Sequence, residues 1–560
     1  MRMSRLPKRR AVTIASGQVR LLAACQLVMR FFDDILWLRR RDSQRRTSGI
    51  MPIMKLLLYT ALLAATATSP AAAQLKLPRL FSDHSVLQRD RPLHVWGWAR
   101  ADANIAVSLH NQRVMAVADR LGRWNAWLKP EAAGGPYVLV VDGGTAEGKV
   151  QVQDVMLGDV WFASGQSNME FPLKGFDGAP LKNAAAEIAA ATDPQVRLLR
   201  IEHKSSSIPL RDIDANWTTT TPATAIDFSA IGYFFARKIA AREHVTVGII
   251  DSTWGGTPAD SWVSTDALAS DAALAPAIDA RARFQQDQTD ADLATIAEAR
   301  EDAAIVASGG KPPPHPWHPP EDAYRPSSLY NAMVAPFTGY GIKGVIWYQG
   351  ETNSNVARAP YYADLFRGLI TDWRHNFAQG AFPFLFAQIS SFNSPEEEWG
   401  LVRDAQRRAL VLTDTAMVVT TDVGDPGNVH PGDKQTVAAR LALAARSVAY
   451  GERVAYQSPL FRQVSGEPGG KRIWFDHAEG LTSRGAAVVG FEVAGPDRRF
   501  VPATARIDGE SVVVTGAVSK PSYVRYNWSN VVPGSLYNAA GLPMSTFTSE
   551  ERIRGHLTYP

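Results

Sequence analysis

Val155-Met156-Leu157-Gly158-Asp159-Val160-Trp161-Phe162-Ala163-Ser164-Gly165-Gln166-Ser167-Asn168-Met169 is where the chain changes character. Val155 to Ala163 is an apolar run too short for a core helix and almost unbroken, the pattern of a strand buried on both faces. Upstream, from about 76 to 155, short alternating runs are set off by turn residues: Leu93-His94-Val95-Trp96, Ile105 to Leu109, and Tyr137 to Val141 after Gly134-Gly135-Pro136. Those read as a small β-domain. Downstream the period lengthens. Asp227 is the expected cap of a helix carrying Phe228, Ile231, Phe235 and Ile239, and Val245 to Ile250 is the next strand. Gly344 to Tyr348 is a third strand, followed by a helix presenting Tyr362, Leu365, Phe366, Leu369 and Trp373. Phe384 to Ile389 and Met417 to Thr420 are further strands, and a helix from about 434 to 446 closes the unit. Buried strands separated by helices predict an α/β fold, a parallel sheet with helices on both faces. The expected divisions are a β-domain over 74–154, the α/β domain over 155–455 and a β-rich region over 456–560, where Val512-Val513-Val514 and Tyr523 to Tyr526 read as strands. An insertion over 265–325 combines an Ala-rich charged segment with the proline run Lys311 to Pro320, a helical excursion and a stiff surface loop.

Charge is distributed unevenly. The chain of 560 residues has a formal net charge of +4, but the first fifty residues hold twelve Lys/Arg against three Asp/Glu. With Lys55 they account for ten net positive charges, so residues from 74 onward carry −6. The short basic start at Met51 to Lys55, the apolar run Leu56 to Ala65 and the small residues Ala71-Ala72-Ala73 before Gln74 have the order of a secretory signal peptide. A signal over 51–73 makes residues 1–50 an over-extended N-terminus and the product a secreted one, periplasmic or extracellular. The acidic remainder has no field suited to nucleic acid, and no run of eighteen apolar residues predicts a membrane span. Cys25, the single cysteine, lies in the discarded segment, so disulfides have no part in the exported chain.

Four loops at carboxyl ends of strands carry the chemistry-bearing residues, the edge where open α/β sheets place ligands. Gly165-Gln166-Ser167-Asn168-Met169 puts a serine in the first. It lacks the second glycine of a Gly-x-Ser-x-Gly elbow, and a serine in a turn is by itself more often a structural hydroxyl. Asp251 to Thr257 follows the second strand, and its Gly255-Gly256 lets a backbone N–H come close to a developing oxyanion. Trp347-Tyr348-Gln349-Gly350-Glu351-Thr352-Asn353 follows the third, with Gln349 and Asn353 as side-chain donors. Asp422 to Pro431 supplies His430, the base a serine nucleophile needs. Trp254, Asn168 and Glu351 are the candidate substrate contacts. The remaining histidines show no metal-ligand spacing, so neither metal nor cofactor is expected.

Taken together, Gly165 to Met169, Trp347 to Asn353 and Val429-His430-Pro431 resemble the blocks of sialate O-acetylesterase-like carbohydrate esterases of the SGNH hydrolase superfamily. The likeness runs from Leu80-Phe81-Ser82-Asp83-His84 to Gly541-Leu542-Pro543. It implies a flavodoxin-like sheet and metal-free acyl transfer by Ser167 and His430. It also implies oxyanion donors at the Ser167 N–H, at Gly255 or Gly256, and in the Gln349/Asn353 block. The implied partner is an acetylated oligosaccharide or polysaccharide. Because none of the four blocks holds an arginine to face a sugar carboxylate, plant cell-wall glycan such as xyloglucan or xylan is the expected substrate; Arg403, Arg407 and Arg408 are the arginines in reach. Sialate esters are the alternative, and a non-catalytic carbohydrate-binding protein on the same fold is the alternative of another class. The sequence departs from the superfamily at the group that orients His430. An aspartate three or two residues before the histidine is usual, and Gly427 and Asn428 stand there instead. Asp425 is the expected third member, with Asp422, Asn428 or a bare Ser–His dyad as alternatives.

Overall fold

Trp161 and Phe162 are neighbours on one strand, so their side chains leave opposite faces of the sheet. Each meets a different helix. The Trp161 ring lies 4.9 Å from Phe235 of helix Ala230–Glu243, while Phe162 lies 5.6 Å from Trp373 and 6.1 Å from Phe377 of helix Tyr362–Phe377. Both strand residues are fully buried. This three-layer arrangement is the core of a mixed α/β protein, described by a computed structural model over residues 75–312 and 320–551. The expected signal peptide over 51–73, the segment 1–50 and most of the proline run lie outside the described residues.

Seven strands of the small N-terminal unit and its junction come first: β1 (Val86–Gln88), β2 (Leu93–Trp98), β3 (Asn104–Leu109), β4 (Gln112–Val117), β5 (Arg123–Leu128), β6 (Gly134–Asp142) and β7 (Lys149–Gly165). β7 is longer than its apolar run suggested. Its first half pairs antiparallel with β6, and its second half pairs in parallel with strands of the main sheet. One strand therefore serves both units, and the expected boundary at 154/155 falls inside it.

The main sheet continues with β8 (Asp193–Arg200), β9 (Thr218–Thr220), β10 (Val247–Thr253), β11 (Gly344–Tyr348), β12 (Phe384–Ala387) and β13 (Thr415–Val418). Their order is β13-β12-β11-β7-β10-β8-β9, parallel except for β9 at the edge. Strand order reverses on either side of β7, so the crevice beyond its carboxyl end is the switch point of the sheet. Ser167 sits there.

Helix starts follow local chemistry. The cap of helix Ala230–Glu243 is Ser229 rather than the expected Asp227: the Ser229 hydroxyl accepts the Gly232 N–H at 3.0 Å, whereas Asp227 forms an exposed ion pair with Lys174. Asp433 caps helix Lys434–Val448 by accepting the Thr436 N–H at 3.0 Å. The Ala-rich insertion is helical over Ala275–Ala307. Beyond the α/β layers, seven antiparallel strands from Leu460–Glu467 to Phe547–Thr548 form the C-terminal sheet with its own apolar cluster around Phe475, Val512 and Phe547. Among the described residues, no helix is long and apolar enough to cross a membrane.

Candidate active site

Gly165 ends β7 with φ +133°, and a Cβ there would stand 2.2 Å from the Tyr348 carbonyl oxygen, so only glycine fits between the two strand ends. The chain then enters a single helical turn, Ser167–Glu170, whose first N–H groups have no intrahelical acceptor. Gln166 locks the turn to the third loop. Its N–H donates to Tyr348 O at 3.0 Å, and its side-chain oxygen accepts from Gly350 N at 3.3 Å and Thr352 N at 3.2 Å. Ser167 is thereby set at the floor of the crevice, 8% exposed.

The fourth loop brings His430 to it. Nε2 lies 2.8 Å from Ser167 Oγ, and the ring packs edge-on against Phe176 at 5.1 Å. Burial, reinforced by the nearby Lys434 cation and opposed by Glu170, pushes the imidazole pKa down to about 4. The ring is therefore neutral at ordinary pH, the form in which it can accept a proton.

The expected third member is not beside it. Asp425 is exposed, and its carboxylate accepts the Gly427 N–H at 2.8 Å, closing its own turn instead of folding back over Pro426-Gly427. Asp422 is held by Arg440 through two bonds of 2.7 Å. Asn428 contacts the histidine's backbone, not its ring: the amide oxygen accepts the His430 N–H at 2.9 Å. Among the described residues, no side chain makes a hydrogen bond to His430 Nδ1, so Ser167 and His430 meet without a third member.

The expected oxyanion donors divide. Gln349 and Asn353 are fully buried and spend their donors inward: Gln349 Nε2 on Asn353 Oδ1 at 2.6 Å, and Asn353 Nδ2 on Asp260 at 3.0 Å. Their side chains brace the loop and are not free to meet a substrate. Gly255 does adjoin Ser167, since a Cβ on it would stand 3.2 Å from Ser167 Cβ. Its N–H is engaged by Glu170 Oε2 at 2.5 Å, while Gly256 takes the turn at φ +72°. Among the described residues, the first-turn N–H of Ser167 is the expected donor without an acceptor, while the Gly255 N–H beside it is taken by Glu170.

The expected substrate contacts are also placed inward. Asn168 is fully buried. Its amide donates to Glu351 Oε1 at 2.6 Å and to Val429 O at 3.0 Å, and its oxygen accepts from Lys434 Nζ at 2.6 Å. Glu351 is thus a partner of Asn168 beneath the serine, with its pKa raised by burial. Trp254 is nearly buried and stacks on His203 at 4.6 Å, and His203 Nε2 in turn lies 2.9 Å from Glu170 Oε1. Glu170, His203 and Lys434 were not singled out in the sequence. Lys434 offered a faint signal, a lysine four residues after His430 at a helix start.

Arg403, Arg407 and Arg408 do not reach the crevice. Arg403 is buried against the backbone of Ser390 and Asn527, and the other two pair with Asp404.

The family model for carbohydrate esterase, sialic acid-specific acetylesterase, matches residues 302–447. Sialate O-acetylesterase of Rattus norvegicus is 30% identical over 446 residues, covering 73% of this chain and 80% of that protein. The Mus musculus sialate O-acetylesterase is 30% identical over 442 residues, covering 72% and 79%. Among solved structures, a carbohydrate acetylesterase from Xanthomonas citri is 37% identical with a TM-score of 0.72, covering 85% of this chain and all of that one.

Proposed function

The chain belongs to the sialate O-acetylesterase family and is a carboxylic-ester hydrolase acting on acetylated carbohydrate, and from that premise we propose that Ser167 and His430 remove O-acetyl groups from sialate. The observation that carries the assignment is the 2.8 Å contact between His430 Nε2 and Ser167 Oγ at the switch point of the sheet. In this reading the fold is an SGNH-type hydrolase. Neutral His430 takes the Oγ proton as Ser167 attacks the acetyl carbonyl, then returns it to the departing sugar oxygen, leaving an acetyl ester on Ser167. A water activated by the same nitrogen releases acetate. The oxyanion is met by the Ser167 N–H and, once Glu170 swings aside, by the Gly255 N–H.

Sialate replaces the cell-wall glycan expected from the sequence because the curated relatives carry that substrate in their names. The absence of an arginine from the four loops is weaker ground than a relationship spanning 73% of the chain. A purely sugar-binding role has no support beside an assembled serine and histidine. Export through residues 51–73 belongs to the same proposal, and the mature N-terminus of the exported protein, expected at Gln74, tests it.

Acetate release from O-acetylated sialic acid, acetylated xylan and acetylated xyloglucan, measured side by side, tests the substrate. The highest kcat/KM is expected on the sialate ester, and faster turnover of either plant polymer would restore the earlier reading. Ser167→Ala should lower kcat on p-nitrophenyl acetate by several orders of magnitude with the fold intact. More than a few per cent of residual turnover would remove Ser167 from the role.

A further inference from the structure

Lys434 is out of place for stability. It is 1% exposed, it opens helix Lys434–Val448, and a cation at a helix N-terminus opposes the helix dipole. Burying an ammonium costs several kcal/mol on the order-of-magnitude scale for ions taken from water. Among the described residues its Nζ has one hydrogen-bonding partner, Asn168 Oδ1 at 2.6 Å, and it lies 4.5 Å from the Phe171 ring centre. Opposite it Glu351 is buried as well, with Oε2 unpartnered among the described residues. Asn168 stands between the Lys434 amine and the Glu351 carboxyl. Its oxygen faces the cation and its amide hydrogens face the carboxylate and Val429 O, so reversing the amide would set like against like on every side.

The amide so fixed belongs to the residue after Ser167, and the carbonyl it holds belongs to the residue before His430. One side chain therefore ties the nucleophile loop to the histidine loop next to the bond where the proton moves. We infer that Lys434 and Glu351 are positioning residues that act through Asn168 to hold Ser167 Oγ and His430 Nε2 at transfer distance, where His430 has no orienting carboxylate among the described residues. The inference rests on the Ser167–His430 reading.

The charged groups that act on His430 are Lys434, which lowers its pKa, and Glu170, which raises it; Glu351 balances Lys434 from the third loop when ionised. Removing the Lys434 cation should therefore move the acid limb of kcat/KM to higher pH.

The test uses Lys434→Met, Glu351→Gln and the double variant on p-nitrophenyl acetate, with Ser167→Ala alongside and thermal melts of each. Each single variant should lose about tenfold or more in kcat with KM within about twofold, and Lys434→Met should also show the displaced acid limb. The double variant has no unbalanced buried charge and should melt near wild type, yet kcat should stay low. Recovery of kcat in the double variant, or single variants within about twofold of wild type, would overturn the positioning role. If Ser167→Ala retained activity, the nucleophile reading would fail first, and that outcome is distinct from either. Should the singles not fold, the double variant decides.

Discussion

At the scale of single residues, the proposed mechanism rests on one proton acceptor. His430 is pushed down to about 4 by burial and by Lys434, so its base form persists through the mildly acidic range. As pH falls through that value the ring takes a proton and can no longer accept one from Ser167. The kcat/KM profile on a small acetyl ester should accordingly stay flat down to about pH 5 and fall below it; a limb near 6.5 would mean that the ring is better solvated than its packing against Phe176 implies. The three candidates for orienting it separate cleanly. Asp425→Ala removes only a turn bond and should leave kcat within about threefold. Asp422→Ala strands Arg440, which is mostly buried, so it should cost about 2–3 kcal/mol of stability and lower Tm more than kcat. Asn428→Ala takes the acceptor from the His430 N–H and should lower kcat the most of the three, by about tenfold. A hundredfold loss in Asp425→Ala would show that the loop refolds over its Pro426-Gly427 turn when substrate binds.

At the scale of elements, the turn that carries Ser167 is anchored by the start of a neighbouring helix. The Ser229 hydroxyl caps helix Ala230–Glu243 and also donates to Met169 O at 2.5 Å, two residues beyond Ser167. The Ser229 N–H donates to Asp251 at 3.1 Å, a carboxyl that burial raises to about 6. Ser229→Ala should therefore cost about 1–2 kcal/mol in urea unfolding, and it should lower kcat as well, because the turn Ser167–Glu170 loses its anchor at Met169 O. A stability loss with unchanged kcat would separate cap from site. These couplings explain what the local pattern missed. Asp227 and Ser229 are both good caps by composition, and the choice fell to Ser229 because its hydroxyl has a second partner in the crevice wall. Likewise Gln349 and Asn353 have the chemistry of oxyanion donors, but their amides turn inward to Thr257, Ala259 and Asp260.

At the scale of the whole molecule, the C-terminal sheet is bound to the α/β layers through buried polar contacts. Arg403, lowered to about 9 by burial, donates to Ser390 O and Asn527 O, Gly400 abuts Trp528, and the Thr548 N–H donates to Asp404. A chain ending at residue 455 would strip Arg403 of its Asn527 and Ser529 acceptors and Arg408 of its Glu550 and Glu551 acceptors and would expose the face they cover, so it should be recovered as insoluble protein; soluble, active material would show the sheet to be dispensable. By itself the sequence determined the α/β class and the strand ends at which Ser167 and His430 come together. Apolar run length and helical period are local signals, and strand ends of a parallel sheet fall on one edge whatever the loops do. Only the tertiary structure decided that β7 serves two units, that Asp425 stays away from His430, and that Asn168 and Glu351 face Lys434 instead of a sugar. Those outcomes depend on which buried polar groups find partners across loops up to 266 residues apart, and an unpaired group in the interior costs more than any local preference can recover.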